Sequence, residues 1–289
     1  MLRAADGPGQ TVAGPRAQEI MISRTAQAPS LRRTLSGFRR YGHLLRNLVL
    51  KDLKLKYRGS VIGFLWSLAN PVLMGVVYTV AFRSILQIRS EGFVFYLMLG
   101  LLSWTFFASS AAMSTGAIVD NGGLVKSVWF PRAILPTATV LFNLTQYILS
   151  VAVILPLMLV YYRVAPEAPM LLFPLFVTLQ VLFTTGVALI LATSAAFLRD
   201  VRHLVDISIM ILFWMTPIVY ELRELSPTLR RIILLTPMSP YVAAYQQIFY
   251  YRQWPDAAVW ITTTGYAAAA LTLGLWMIVR SEDSFAERV

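Results

Sequence analysis

The stretch Lys54-Leu-Lys-Tyr-Arg-Gly-Ser-Val-Ile-Gly-Phe-Leu-Trp-Ser-Leu-Ala-Asn-Pro71 changes character at its midpoint. Its first half is basic and stays in water or among lipid headgroups. Its second half is apolar and continues without a charge to Phe82. A helix of about 20 apolar residues crosses a bilayer core, so residues 61–82 predict a membrane span entered at one sharp boundary. The chain before that boundary reads as a cationic cytoplasmic segment, and the chain after it as a bundle of spans.

Composition supports the same class. Of 289 residues, 57% are hydrophobic and 13% charged, with mean hydropathy +0.64. An average soluble domain is about 25% charged, so a polytopic membrane protein is expected. The absence of cysteine excludes disulfides, thiolate metal sites and thiol catalysis. A net charge of +11 would suggest nucleic acid in a soluble protein. In a membrane protein, topology and anionic lipid headgroups account for it, so lipid is the expected partner and nucleic acid is not.

Towards the N-terminus, residues 1–35 are rich in Gly, Pro, Ala, Gln and Arg, without periodicity or a signal-type apolar run. They read as a disordered cytoplasmic tail. Over 36–58, Tyr41, Leu44, Leu45, Leu48, Val49, Leu53 and Tyr57 recur at helical spacing among seven basic residues. That pattern predicts an amphipathic helix lying in the headgroup region. Beyond it, 59–280 carries six predicted spans: 61–82, 92–119, 133–161, 170–198, 204–220 and 257–279, with 281–289 as a C-terminal end. An even number puts both termini on one side. That side holds 18 of the 25 Lys and Arg residues, which places both termini in the cytoplasm. Between Glu221 and Asp256, the pieces Leu229–Leu235 and Tyr241–Tyr251 are too short to span and flank Thr236-Pro-Met-Ser-Pro240. They predict short helices that dip into the outer leaflet and return, shielded by protein. An ordinary external loop is the competing reading.

Several chemistries lack their signatures. No Asp, Glu, Lys, Arg or His lies deep in any of the six apolar runs, which disfavours ion-coupled transport. No Gly-x-x-x-x-Gly-Lys-Ser/Thr phosphate loop is present, so ATP hydrolysis by this chain is not expected. His43 and His203 have no ligand-spaced partners, and no metal or catalytic residue is assigned. A passive pore or a pump driven by a separate ATPase remains.

The cytoplasmic loops bear on that choice. In Asp120-Asn-Gly-Gly-Leu-Val-Lys-Ser-Val-Trp-Phe-Pro-Arg132, Asp120 or Asn121 can cap a short helix whose apolar side is Leu124, Val125 and Val128. Phe130-Pro131 then turns the chain back. Such a helix suits a partner that pushes on it, or equally a headgroup surface. The turn Leu198-Arg-Asp-Val-Arg202 is brief, and Arg199/Asp200 there suit a helix-end cap and topology signal.

These residues also carry a resemblance. Lys56-Tyr-Arg-Gly-Ser60, Gly63-Phe-Leu-Trp66, Asn70-Pro71, Leu124–Arg132, Leu135-Pro136, Leu198–Val201 and Thr216-Pro-Ile-Val-Tyr220 fall in the order and spacing of the type 2 ABC transporter permeases. The O-antigen and teichoic acid exporters are the group most resembled, over roughly 40–280. Thr236-Pro-Met238 departs from the Asn-Pro frequent there, and the N-terminal tail is longer.

The resemblance implies an all-α integral membrane fold. It has six transmembrane helices, an N-terminal amphipathic interface helix, a cytoplasmic coupling helix and short re-entrant periplasmic helices before the last span. It also implies a bacterial inner-membrane homodimer with two nucleotide-binding ATPase subunits. That assembly exports a polysaccharide carried on a polyprenyl-diphosphate lipid. ATP and Mg would sit on the partner subunit, with no cofactor on this chain. The ATPase-coupling residues would be Asp120, Asn121, Leu124, Val125, Lys126, Val128, Phe130, Pro131 and Arg132, with a second cytoplasmic contact at Arg199 and Asp200. The periplasmic gate would include Tyr220, Pro237, Pro240 and Tyr241. Lys54, Lys56, Tyr57 and Arg58 are placed to orient the diphosphate at a substrate entrance, with topology and lipid adhesion as the competing role for the cations. Trp66, Trp104, Phe106, Phe107, Ser110 and Ser114 are pore-lining candidates, since aromatic faces and hydroxyls tolerate sugar. Interfacial anchoring and helix packing are the competing roles for these six. A lipid or drug exporter, or a membrane-bound glycosyl or acyl transferase, stands as the alternative function.

Overall fold

The computed structural model describes residues 41–58, 69, 72–77, 80–81, 92–127, 130–282 and 285. The predicted tail 1–35, most of the predicted span 61–82, Trp66 and Val128 lie outside the described residues. Among those described, every regular element is helical.

The predicted amphipathic segment contains helix α1 (Gly42–Tyr57). Helix α2 (Phe93–Gly116) is uncharged and apolar on all sides, and most of its residues are buried, as a helix without a polar face must be. It starts at Gly92, whose φ of 75° suits glycine alone. The 3-10 turn Val119–Asn121 and the six-residue α3 (Gly122–Ser127) lead to α4 (Ile134–Tyr161). A second 3-10 turn, Ala168–Leu172, runs into α5 (Phe173–Phe197). Helix α6 (Val201–Met215) comes next, and after a turn come α7 (Pro227–Leu234), α8 (Ser239–Tyr245), a π turn (Gln246–Tyr250) and α9 (Ala257–Ser281).

Among the described residues, four segments are long and apolar enough to cross a bilayer: Phe93–Gly116, Ile134–Tyr161, Ala168–Phe197 and Ala257–Ser281. They coincide with four of the six predicted spans. The predicted span 204–220 differs. Helix α6 begins earlier and ends at Met215, about 22 Å long at 1.5 Å per residue. Pro217 forces the break: the residue before a proline avoids the helical region, and Thr216 is extended at φ −92°, ψ 136°. Residues 216–219 continue as a buried, non-helical turn.

Helix α2 packs against α4, α5, α6 and α8, and the α5–α9 pair is the most extensive contact in the chain. Glycines permit that pair. A Cβ on Gly186 would lie 2.3 Å from the Ala270 carbonyl carbon, and one on Gly274 would lie 2.5 Å from the Gly186 oxygen. Close backbone approach through small residues is the usual glue between helices in lipid.

Helix α8 is buried along its whole length against α2, α5 and α9. It is held by an uncharged polar network. Tyr245 Oη donates to Gln180 Oε1 (2.7 Å), and Gln180 Nε2 donates to the Ser103 carbonyl (2.9 Å). Each member finds a partner, which is what makes a buried polar group tolerable.

Candidate functional site

Helix α1 lies across α4 and closes one wall of a cavity of about 480 Å3 between α1, α2 and α4. The cavity is unlike its apolar surroundings. Helix α1 contributes Asp52 and Lys56, α2 contributes Thr105, Phe106 and Ser109, and α4 contributes Phe142, Asn143, Gln146, Tyr147 and Ser150. Asn143, Gln146 and Ser150 are spaced i, i+3, i+7, so they share one helix face. The Lys56 ammonium donates to Gln146 Oε1 and lies 5.9 Å from the centre of the Phe142 ring. Burial at this wall pushes the Lys56 pKa below its ordinary value. Phe106 and Tyr147 stack at 5.4 Å. A concave space with aromatic faces, amides, hydroxyls, one cation and one carboxylate can take a hydroxylated ligand whose anionic group sits at Lys56.

The four predicted entrance residues divide between two sides of α1. Lys56 points into this cavity. Lys54, Tyr57 and Arg58 line a separate, more open concavity with Asn47 and Lys51. The predicted pore-lining set also divides. Phe106 lines the 480 Å3 cavity. Trp104 and Phe107 are buried, Trp104 against Phe213 and Phe107 stacked on Phe183. Ser110 and Ser114 are fully buried, and their hydroxyls have no partner among the described residues. The polar wall of α4 carries no charge, so the charge pattern of the spans does not reveal it. Three polar residues at helical spacing in an otherwise apolar run were the available signal.

At the end of the bundle bearing the 117–133 connection, α3 is fastened rather than free. Val125 and Phe130 are buried in one cluster with Leu48 of α1, Ile134 and Leu135 of α4, Leu189 of α5, Ile278 of α9 and Phe285. Leu124 packs on its rim. Pro131 is buried, and buried Arg132 donates to the Phe130 carbonyl at 3.1 Å. Asn121 donates to the Ala117 carbonyl at 2.8 Å. Among the described residues, the exposed face therefore consists of Val119, Asp120, Gly123, Lys126 and Ser127. Asp120 meets Arg202 at 2.5 Å. Arg199 and Asp200 are exposed, and Asp200 occupies the N-cap position of α6 without a side-chain capping bond. Nothing in the sequence singles out Arg202, because no short-range pattern links positions 82 residues apart.

At the opposite end, the predicted gate residues are partly structural. Tyr241 is fully buried, donates to the Thr263 carbonyl at 2.7 Å and stacks on Phe183 at 5.1 Å. Pro240 is buried in the first turn of α8, and Pro237 is half-buried before it. Tyr220 is half-buried. Its carbonyl accepts from Tyr96 Oη at 2.8 Å, while its own hydroxyl donates to the Trp214 carbonyl at 3.2 Å.

An uncharged helical bundle with a basic surface helix, a fastened loop helix and a polar side cavity describes a membrane permease. Residues 43–250 match the family model for ABC-2 type transporters, and the chain belongs to that family. It is similar to the O-antigen export system permease protein RfbA of Myxococcus xanthus. The two are 34% identical over 254 residues, covering 86% of this chain and 96% of that one. The RfbA permease of Klebsiella pneumoniae is 31% identical over 211 residues, 72% of this chain and 82% of its own. The polysialic acid transport protein KpsM of Escherichia coli is 24% identical over 212 residues, 70% and 80%.

Proposed function

We propose that this chain is the transmembrane subunit of an ATP-driven exporter that moves a polysaccharide on a polyprenyl-diphosphate carrier across the bacterial inner membrane. The observation that carries it is the similarity to an O-antigen export permease along 96% of that protein's length. In this reading the chain crosses the membrane six times with both termini in the cytoplasm. It pairs with a second copy of itself and docks two ATPase subunits that hold ATP and Mg. The exposed apolar stripe of α6 (Leu204, Ile207, Ile211, Trp214) then meets lipid or the second copy.

The geometry suits that work. Lys56 is the cation at the cavity wall, and the carrier's diphosphate competes with Gln146 for it. Once Lys56 turns to the diphosphate, the Gln146 amide and the Ser109 and Ser150 hydroxyls are placed to bond sugar, with Phe106 and Phe142 as stacking faces. Force enters at the exposed face of α3. Because Val125 and Phe130 share one close-packed cluster with Leu48, a push on α3 moves α1 as a body and so moves the cavity wall.

The test is vectorial transport. Vesicles holding the chain with its ATPase subunit should export lipid-linked glycan only when ATP is hydrolysed. Export driven by a sodium or proton gradient without that subunit overturns the proposal.

A further inference from the structure

A second polar cavity, of about 310 Å3, lies at the opposite end of the bundle. It sits between the start of α2, the 3-10 turn Leu222–Glu224, α7, the π turn and the lead into α9. Irregular backbone converges there. The π turn Gln246–Tyr250 supplies one wall, and Arg252 comes after it with a left-handed φ of 54°, sending Gln253 back to the cavity. Both features cost energy and gather at functional sites.

The walls are set by their own bonds. The Arg223 guanidinium lies 3.7 Å from the Tyr251 ring centre and donates to Gln253 Oε1 at 2.9 Å. Gln247 donates to Asp256 Oδ2 at 2.9 Å and accepts from the Asp256 N–H at 3.0 Å. Tyr251 donates to Glu221. Arg230 is different. It lines the cavity half-buried, and its side chain makes no ion pair or hydrogen bond to any described residue. With two arginines against one aspartate, the lining is cationic. Leu222 and Ala243 are the only aliphatic side chains among the described residues lining it, so they offer no slot for acyl chains.

We propose that this cavity binds one sugar unit bearing a carboxylate, with Arg230 receiving the anion and Tyr251 and the Gln247 and Gln253 amides meeting the ring and its hydroxyls. The volume, at the small end of ligand sites, takes one unit rather than two. The polymer as the sugar's source rests on the export reading above. Equilibrium binding needs neither transport nor ATPase, so the two can fail separately.

The full chain in phosphatidylcholine nanodiscs is titrated by saturation-transfer difference NMR with glucuronate, glucose and glycerol 3-phosphate. Glucuronate should bind saturably and more tightly than the other two. Arg230→Gln should weaken it by about tenfold, the loss of one charge-assisted contact. Arg230→Lys should retain most of the affinity, and Arg230→Glu should abolish it with an unchanged unfolding midpoint. Absence of saturable glucuronate binding, or an Arg230→Gln protein that binds like wild type, overturns the proposal. So does equal affinity for glucose. Tighter binding of glycerol 3-phosphate overturns it in favour of a lipid headgroup.

Discussion

Asp120 and Arg202, 82 positions apart, meet at 2.5 Å and tie the turn before α3 to the first turn of α6. Gly116 makes the room: a Cβ there would lie 2.2 Å from Asp120 Oδ2 and 2.6 Å from the Arg202 guanidinium. Both side chains are about half exposed or more, so the pair adds about 1 kcal/mol or less to stability. Its value is positional. Arg202→Gln should leave the unfolding midpoint nearly unchanged while export per ATP hydrolysed falls severalfold. The charge-reversed pair Asp120→Arg with Arg202→Asp should recover part of it. Unchanged coupling ratios in reconstituted vesicles for Arg202→Gln would remove the tie from the mechanism.

Phe130 and Lys126 lie close in sequence and should fail differently. Phe130 is fully buried, so Phe130→Ala should destabilise the chain by about 3–5 kcal/mol and lower the yield of folded protein. Lys126 is exposed, and Lys126→Glu should keep stability within about 0.5 kcal/mol while weakening ATPase docking. Thermal unfolding of the lone chain and pull-down of the ATPase subunit separate the two effects.

Burial holds the Lys56 pKa below the ordinary lysine value of 10.5. Between the folded value and 10.5 the unfolded chain binds more protons than the folded one, so this group's contribution makes stability rise with pH in that interval. On the proposed function, diphosphate binding would run the other way, because it would use the protonated form of Lys56. Substrate-stimulated ATP hydrolysis should therefore decline on the alkaline side, and Lys56→Arg should move that decline to higher pH. Superimposable pH profiles of wild type and Lys56→Arg would show that the ammonium is not used.

Gln146 is the amide that Lys56 engages at the cavity wall. Gln146→Leu keeps the volume and removes the hydrogen bonds. Export should fall by about tenfold, the equivalent of about 1.4 kcal/mol, with the unfolding midpoint preserved. Transport assays on vesicles matched for protein content check this.

Gly186 faces the α9 backbone, whereas Gly265 on α9 meets nothing within 4 Å. Gly186→Ala should cost about 1–3 kcal/mol by forcing α5 and α9 apart. Gly265→Ala should be neutral or stabilising by up to about 1 kcal/mol. Thermal unfolding in detergent reads both.

Much of this chain was legible in its order of residues. Long uncharged runs separated by charged or proline-bearing turns announce helices in lipid, because hydrocarbon rejects both charge and unpaired backbone. The helically spaced apolar residues of 36–58, set among basic ones, announced α1 as an amphipathic helix. The end of α6 at Met215 was also written there, in Thr216-Pro217, but the apolar character of 216–220 concealed it. The Tyr245–Gln180–Ser103 network was not legible, since each member alone looks like a single polar residue in an apolar run.

Residue order was enough to define a helical membrane protein, its basic surface segment and the family to which it belongs, because these depend on local patterns of charge, apolarity and motif. Folding in three dimensions settled which side of α1 Lys56 faces, that Val125 and Phe130 look inward, and that Arg202 rather than Arg199 reaches Asp120. Those outcomes depend on packing between segments far apart in the chain, where a glycine's missing Cβ or one helix's rotation selects the partner. No local pattern encodes that choice.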